Sequence, residues 1–243
     1  MRSNIHVFGS VEETVQQLAA KMYTLALNDD SEYFHLAISG GSTPLKWFKH
    51  LSEQYASLMP WSRFKVFWVD ERCVPPDDPE SNYGMARHHL LRHVGIPEDQ
   101  VYRMRGEYDP YSEADRYASL LQENLPAKNG SPLFDLIVLG MGDDGHTASV
   151  FPDQIHLFDS EKLCEGAAHP ETGQKRITLT GKVINNAHNV VFLVTGNPKA
   201  PVLNQIIDDN KQDLPASLVS PAHGVLEWYL DASAAKHLRN IKN

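Results

Sequence analysis

Four segments of the 243-residue chain combine side chains that could act on an anionic, carbonyl-containing substrate. The first is Gly140, Met141, Gly142, Asp143, Asp144, Gly145 and His146, which follows the apolar run Leu136, Ile137, Val138 and Leu139. An imidazole, with an ordinary pKa of about 6.5, is mostly neutral near pH 7 and can take a proton from water, while a neighbouring carboxylate orients it. His146 is therefore the candidate general base and Asp144 its candidate support. The same glycines fit the dinucleotide fingerprint G-x-G-x-x-G. Asp143 and Asp144 would, however, put negative charge where a pyrophosphate must sit, and Pro152 is expected to stop any helix within two turns. A nicotinamide-dependent oxidoreductase is accordingly the weaker reading.

The second segment is Ser39, Gly40, Gly41, Ser42 and Thr43, followed by Pro44. Two glycines allow close backbone approach, and Pro44 suits the first turn of a helix. Backbone N–H groups and hydroxyls would then face a phosphate at a helix N-terminus. An ordinary capped turn is the competing reading, and the absence of a Walker lysine argues against nucleoside triphosphates. In the third segment, Asp70, Glu71 and Arg72 follow the apolar run at residues 64–69. Arg72 could bind phosphate or polarise a carbonyl, with Asp70 orienting it or contacting substrate hydroxyls. Fourth, Arg176 and Lys199 lie near expected strand ends and could reach an anion, although isolated basic residues are more often solvent-facing. His88, His89 and His93 lack the glutamate of a zinc-binding helix and read as helix surface. Ser39 or Ser42 with His146 could form a nucleophilic pair, but no G-x-S-x-G elbow is present, so direct water attack ranks above it.

These segments need a scaffold, and the apolar periodicity supplies one. Ser10 and Glu13 have capping-box spacing, and Val11, Val15, Leu18, Met22 and Leu25 recur at helical intervals behind them. Strands are expected at residues 34–38, 64–69, 134–139 and 189–194. Helices are expected at residues 44–55, 82–93 and 113–125, and after Pro198. This alternation implies βαβ units in an α/β fold: a mostly parallel, Rossmann-like sheet with helices on both faces. Open sheets of this type bind ligands beyond the carboxyl ends of their strands, where the candidate residues fall.

With 42% hydrophobic residues, the chain is expected to form a single domain spanning residues 1–243. No signal peptide or membrane-length apolar run is seen, and the two cysteines, Cys73 and Cys164, support neither a disulfide framework nor a cysteine-rich zinc site. A cytoplasmic protein is expected. The net charge of −9 argues against nucleic-acid and anionic-membrane partners. An anionic small molecule would need a local positive site, and the pattern carries no signal for an oligomeric state.

In order and spacing, six motifs resemble the glucosamine-6-phosphate isomerase/6-phosphogluconolactonase family. They are the segments at residues 39–44, 68–72, 81–83, 140–152 and 176–180, and Thr195 and Gly196 with Lys199 and Ala200. The resemblance covers nearly the whole chain. It implies hydrolysis of a phosphorylated sugar lactone, without metal or organic cofactor. His146 would activate the water attacking C1, with Asp144 supporting it and Arg72 as a positive contact. Ser39, Gly40, Gly41, Ser42 and Thr43 would hold the 6-phosphate together with Arg176 and Lys199. The deaminases of the group carry a glutamate five residues after the histidine; here that residue is Phe151, which disfavours the isomerising chemistry.

Overall fold

The computed structural model describes residues 4–239. Twelve strands and six α-helices follow in chain order. The first half contains β1 (Asn4–Phe8), α1 (Val11–Asn28), β2 (Phe34–Ile38), α2 (Ser42–Gln54), β3 (Phe64–Trp68), β4 (Asp70–Arg72), α3 (Asn82–Ala86), β5 (Val101–Tyr102) and α4 (Pro110–Asn124). The second half contains β6 (Ala127–Lys128), β7 (Ser131–Pro132), β8 (Leu136–Leu139), β9 (Cys164–Ala168), β10 (Lys175–Leu179), α5 (Gly181–Ile184), β11 (Asn189–Val194), α6 (Ala200–Ile207) and β12 (Val225–Asp231).

Seven strands form one parallel sheet in the order β1, β12, β11, β8, β2, β3, β5. Its central strands β2 and β8 are buried along their whole length and, His35 apart, apolar, as a sheet covered on both faces requires. From β2 the chain moves outwards through β3 to β5, then returns to β8 and proceeds the other way through β11 to β12. Right-handed crossovers put the helices of the two excursions on opposite faces. The direction reverses between β2 and β8, so a crevice opens beyond their carboxyl ends.

A smaller antiparallel sheet, β4–β10–β9, hangs at one side of that crevice. Only Val69 separates β4 from β3, and its N–H donates to the Ile38 carbonyl while its own carbonyl accepts from Leu179. The small sheet is thereby fixed to the end of the large one.

Several expected elements agree closely with the structure. Ser10 caps α1 through the Glu13 N–H at 3.1 Å, while the Glu13 carboxylate reaches back to the Gly9 N–H at 2.8 Å. The helix expected to start at residue 113 begins at Pro110, because Asp109 accepts from the N–H groups of Tyr111 and Ser112. The expected helix at 82–93 is five α-helical residues followed by a π-helical turn, Arg87–Leu91. Pro152 does not stop a helix; after a turn closed between Thr147 and Val150 it opens a short 3₁₀ segment, Pro152–Leu157, kinked at Gln154.

The edge strand β1 and its neighbour β12 were not among the expected strands. β12 carries Glu227 in its middle, a charge that interrupts the apolar run. That carboxylate is buried, hydrogen-bonded to His6 at 3.0 Å and ion-paired with Lys21 at 2.9 Å. No helix of the described residues is long and apolar enough to cross a membrane.

Candidate active site

A cavity of about 230 Å³ occupies the crevice. Ser39, Gly40, Gly41, Ser42, Thr43, Asp70, Arg72, His146, Arg176 and Lys199 all line it, although they come from five separate stretches of chain. Asp144 alone among the expected site residues is not in the lining. It contacts His146 instead.

The loop from β8 to residue 147 is closed on itself. The Gly142 N–H donates to the His146 carbonyl at 2.9 Å, and the Thr147 hydroxyl to the Gly140 carbonyl at 2.9 Å. Gly145 has φ +85°, a left-handed conformation that glycine adopts without strain. Asp144 Oδ1 accepts from the His146 backbone N–H at 3.0 Å and lies 2.7 Å from Nδ1. An ionised carboxylate only accepts, so Nδ1 carries the proton and the Nε2 lone pair is left free. Burial raises the Asp144 carboxyl, but the hydrogen bond and charge of His146 outweigh this and leave it below its ordinary value. Gly142 is required for the approach: a Cβ there would lie 2.2 Å from His146 Nδ1 and 2.3 Å from Asp144 Oδ1. The turn is not followed by the α-helix that a dinucleotide loop needs.

Opposite strands supply the positive charge. In the antiparallel register Arg176 stands directly across from Arg72. Burial lowers the Arg176 guanidinium below its ordinary value and repulsion from Arg72 adds to this, with Asp70, Glu80 and Glu71 acting against both. The buried Nε atoms of both arginines lack a hydrogen-bond partner. Two adjacent guanidinium groups with unused donors form a site that an anion would relieve.

Glu71 holds this side together. Its buried carboxylate accepts from the backbone N–H groups of Arg72, Asn82 and Tyr83 at 2.7–2.8 Å and from the Ser81 hydroxyl at 3.1 Å. Asp70 is also buried, accepting from Ser149 Oγ at 2.7 Å and facing the Asn82 amide at 3.4 Å.

The glycine loop is built for close backbone approach. Gly41, with φ +112°, caps α2, so the helix starts at Ser42 and not at Pro44. A Cβ on Gly40 would collide with Asn82 Oδ1 at 1.7 Å. The Ser39 hydroxyl is buried and donates to the Val138 carbonyl at 2.9 Å, tying β2 to β8. Ser39 is therefore no candidate nucleophile in this arrangement. Thr43 Oγ1 meets Thr195 Oγ1 at 2.7 Å, which links the loop to the turn carrying Lys199. Lys199 Nζ is 3.9 Å from Asp143.

Asn82 and Thr195 also line the cavity. Both lie in motifs that carry the family resemblance, but neither was given a role: a capping serine precedes Asn82, and the partner of Thr195 is distant in sequence. The imidazoles of His88 and His89 pack edge to face at 4.6 Å, and among the described residues no cluster of three metal-ligating side chains occurs.

A family model described as glucosamine-6-phosphate isomerases/6-phosphogluconolactonase matches residues 9–228. The chain is 45% identical over 207 residues to the 6-phosphogluconolactonase of Haemophilus influenzae, covering 84% of this chain and 87% of that one. It is 39% identical over 241 residues to the 6-phosphogluconolactonase of Homo sapiens, covering 96% and 93%. The solved structure of 6-phosphogluconolactonase from Trypanosoma brucei superposes with a TM-score of 0.87 at 29% identity, covering 98% of this chain and 99% of that one.

Proposed function

We propose that this chain, which belongs to the glucosamine-6-phosphate isomerase/6-phosphogluconolactonase family, hydrolyses 6-phospho-D-glucono-1,5-lactone to 6-phospho-D-gluconate. This is the lactone-opening step of the oxidative pentose phosphate pathway. The named relatives support lactone hydrolysis. One observation carries the finer reading: the free Nε2 of His146, oriented by Asp144, shares a cavity with the unpartnered donors of Arg72 and Arg176.

In the proposed reaction His146 Nε2 takes a proton from water as the water oxygen bonds to C1. The carbonyl oxygen becomes an oxyanion, which Arg72 stabilises. Collapse breaks the bond from C1 to the ring oxygen, and the imidazolium returns its proton to that leaving oxygen. The product is a carboxylic acid at C1, which loses its proton to solvent as the carboxylate, with a free hydroxyl at the former ring oxygen. The 6-phosphate is held by the N–H groups of residues 40–43, by Arg176 and by Lys199, and this remote anchoring aligns C1 with the base. Deamination of an aminosugar phosphate would need a proton carrier where Phe151 stands. Phe151 is buried, with its ring centroid 4.8 Å from that of His146, and offers only apolar contact.

Turnover of freshly made 6-phosphogluconolactone, with spontaneous opening subtracted, tests the reading. His146→Ala should lower turnover by roughly 10²- to 10⁴-fold and leave binding of 6-phosphogluconate nearly intact. Near-wild-type turnover would remove His146 from the mechanism. Equal hydrolysis of the unphosphorylated lactone by the parent enzyme would refute the phosphate site.

A further inference from the structure

A second cavity, of about 780 Å³, lies between α3 with its π-helical turn, β5 with the loop after it, and α4. It shares no lining residue with the first. Five of the chain's ten arginines line it, Arg87, Arg92, Arg103, Arg105 and Arg116, against a single carboxylate, Glu98. In a chain of net charge −9, such a concentration works against the mean field.

The arginines divide into two kinds. Arg103 is held by paired hydrogen bonds to Glu107 at 2.6 and 2.9 Å, and Arg116 by a similar pair to Glu113 at 2.6 and 2.7 Å. Those two are neutralised and fixed in place. Arg87, Arg92 and Arg105 form no salt bridge and no side-chain hydrogen bond among the described residues. Arg105 feels only the charge of Glu107, which is already paired with Arg103, so three guanidinium groups without a bonded partner against one lining carboxylate leave an excess of two positive charges. Guanidinium groups pair best with phosphate or carboxylate oxygens.

The rest of the lining is apolar or aromatic. Leu91, Ile96, Val101 and Leu120 contribute aliphatic surface, and Tyr83 and Tyr102 contribute rings. The Arg103 guanidinium sits 5.3 Å from the Tyr83 ring centroid, and the Tyr102 ring is stacked on Phe67 at 4.6 Å. Each ring is thus packed against a neighbour. A concave site that joins apolar and aromatic surface to convergent positive charge suits a small anionic molecule.

We propose that this cavity is a second binding site, for a small molecule that carries two phosphate groups and a flat ring. The excess charge selects the two phosphates, and the tyrosines with their aliphatic neighbours accept the ring. The site is separate from the lactone chemistry and does not depend on it.

Calorimetric titration with adenosine diphosphate and with inorganic pyrophosphate tests this on four proteins. They are the wild type, the triple variant Arg87→Gln/Arg92→Gln/Arg105→Gln, Tyr83→Leu and Arg176→Ala, each checked for an unchanged melting temperature. Adenosine diphosphate should bind the wild type and Arg176→Ala alike and the triple variant at least tenfold more weakly. Tyr83→Leu should weaken adenosine diphosphate severalfold while leaving pyrophosphate unchanged. Equal binding by the wild type and the triple variant, loss of binding in Arg176→Ala alone, or no binding of either probe at millimolar concentration overturns the site. Equal affinity of the wild type for the two probes overturns the ring-accepting part.

Discussion

Asp144→Asn separates the charge of the supporting carboxylate from its shape. Oδ1 of Asp144 lies 2.7 Å from His146 Nδ1 and 3.0 Å from the backbone N–H. An amide oxygen can occupy the same place and accept the same two bonds, so the variant loses chiefly negative charge. Hydrogen bonds to charged groups contribute about 1.5–3 kcal/mol and neutral ones about 0.5–1.5, a difference of roughly 1–1.5 kcal/mol. At about 1.4 kcal/mol per tenfold, that is close to a tenfold loss in kcat. The Asp144 side chain is 42% exposed, so solvent screens the pair, and the roughly 10⁴-fold loss known for a buried serine-protease aspartate is not expected. Because Asp144 is absent from the cavity lining, KM should stay near the wild-type value.

The pH profile adds a second test of the same variant. The lowered Asp144 carboxyl keeps its ionised, paired state above the ordinary carboxylate range and loses it only as pH falls through the lowered value. Asp144→Asn removes the charge at every pH, so the ratio of wild-type to variant kcat should stay constant through and above the ordinary carboxylate range and shrink only below it. A kcat within twofold of wild type, a change confined to KM, or a ratio that already shrinks near neutral pH would refute the assignment.

Arg176→Ala should raise KM for the phosphorylated lactone by about 30- to 100-fold, the worth of a charge-assisted pair in a half-desolvated site, with a parallel weakening of product inhibition. Gly142→Ala should reduce kcat at least as far as Asp144→Asn, because the new Cβ overlaps both members of the pair; an active variant would show that the loop can shift freely. Glu71→Gln should destabilise the fold by about 2–4 kcal/mol in denaturant titration, since an amide presents N–H groups to a shell of four donors.

Much of the scaffold is written locally. β2 and β11 coincide with the runs read from sequence, because a central parallel strand is apolar on both faces and is bounded by turn residues. The pairing of Asp144 with His146 is legible for the same reason: two residues apart in a glycine turn, they need no distant element to meet. The edge strand β1, the charged strand β12 and the hairpin β9–β10 escape such reading, since half-exposed or charge-bearing strands lack the continuous apolar signal.

What only the tertiary structure decides is which distant groups face one another. The Arg72–Arg176 pair exists because β10 lies antiparallel to β4 in one register, and a slip of one residue would turn the two side chains to opposite faces. Asp70 meets Ser149 across 79 residues, and Thr43 meets Thr195 because β2 and β11 flank β8 in the large sheet. The arginines of the second cavity converge only because α3, β5 and α4 pack together. The contact of Asp144 with His146 and the glycine turn that opens α2 are legible in the sequence alone, since each is set by neighbouring residues. The tertiary structure decides how these meet in one cavity, because strand register and sheet order depend on contacts that no local pattern encodes.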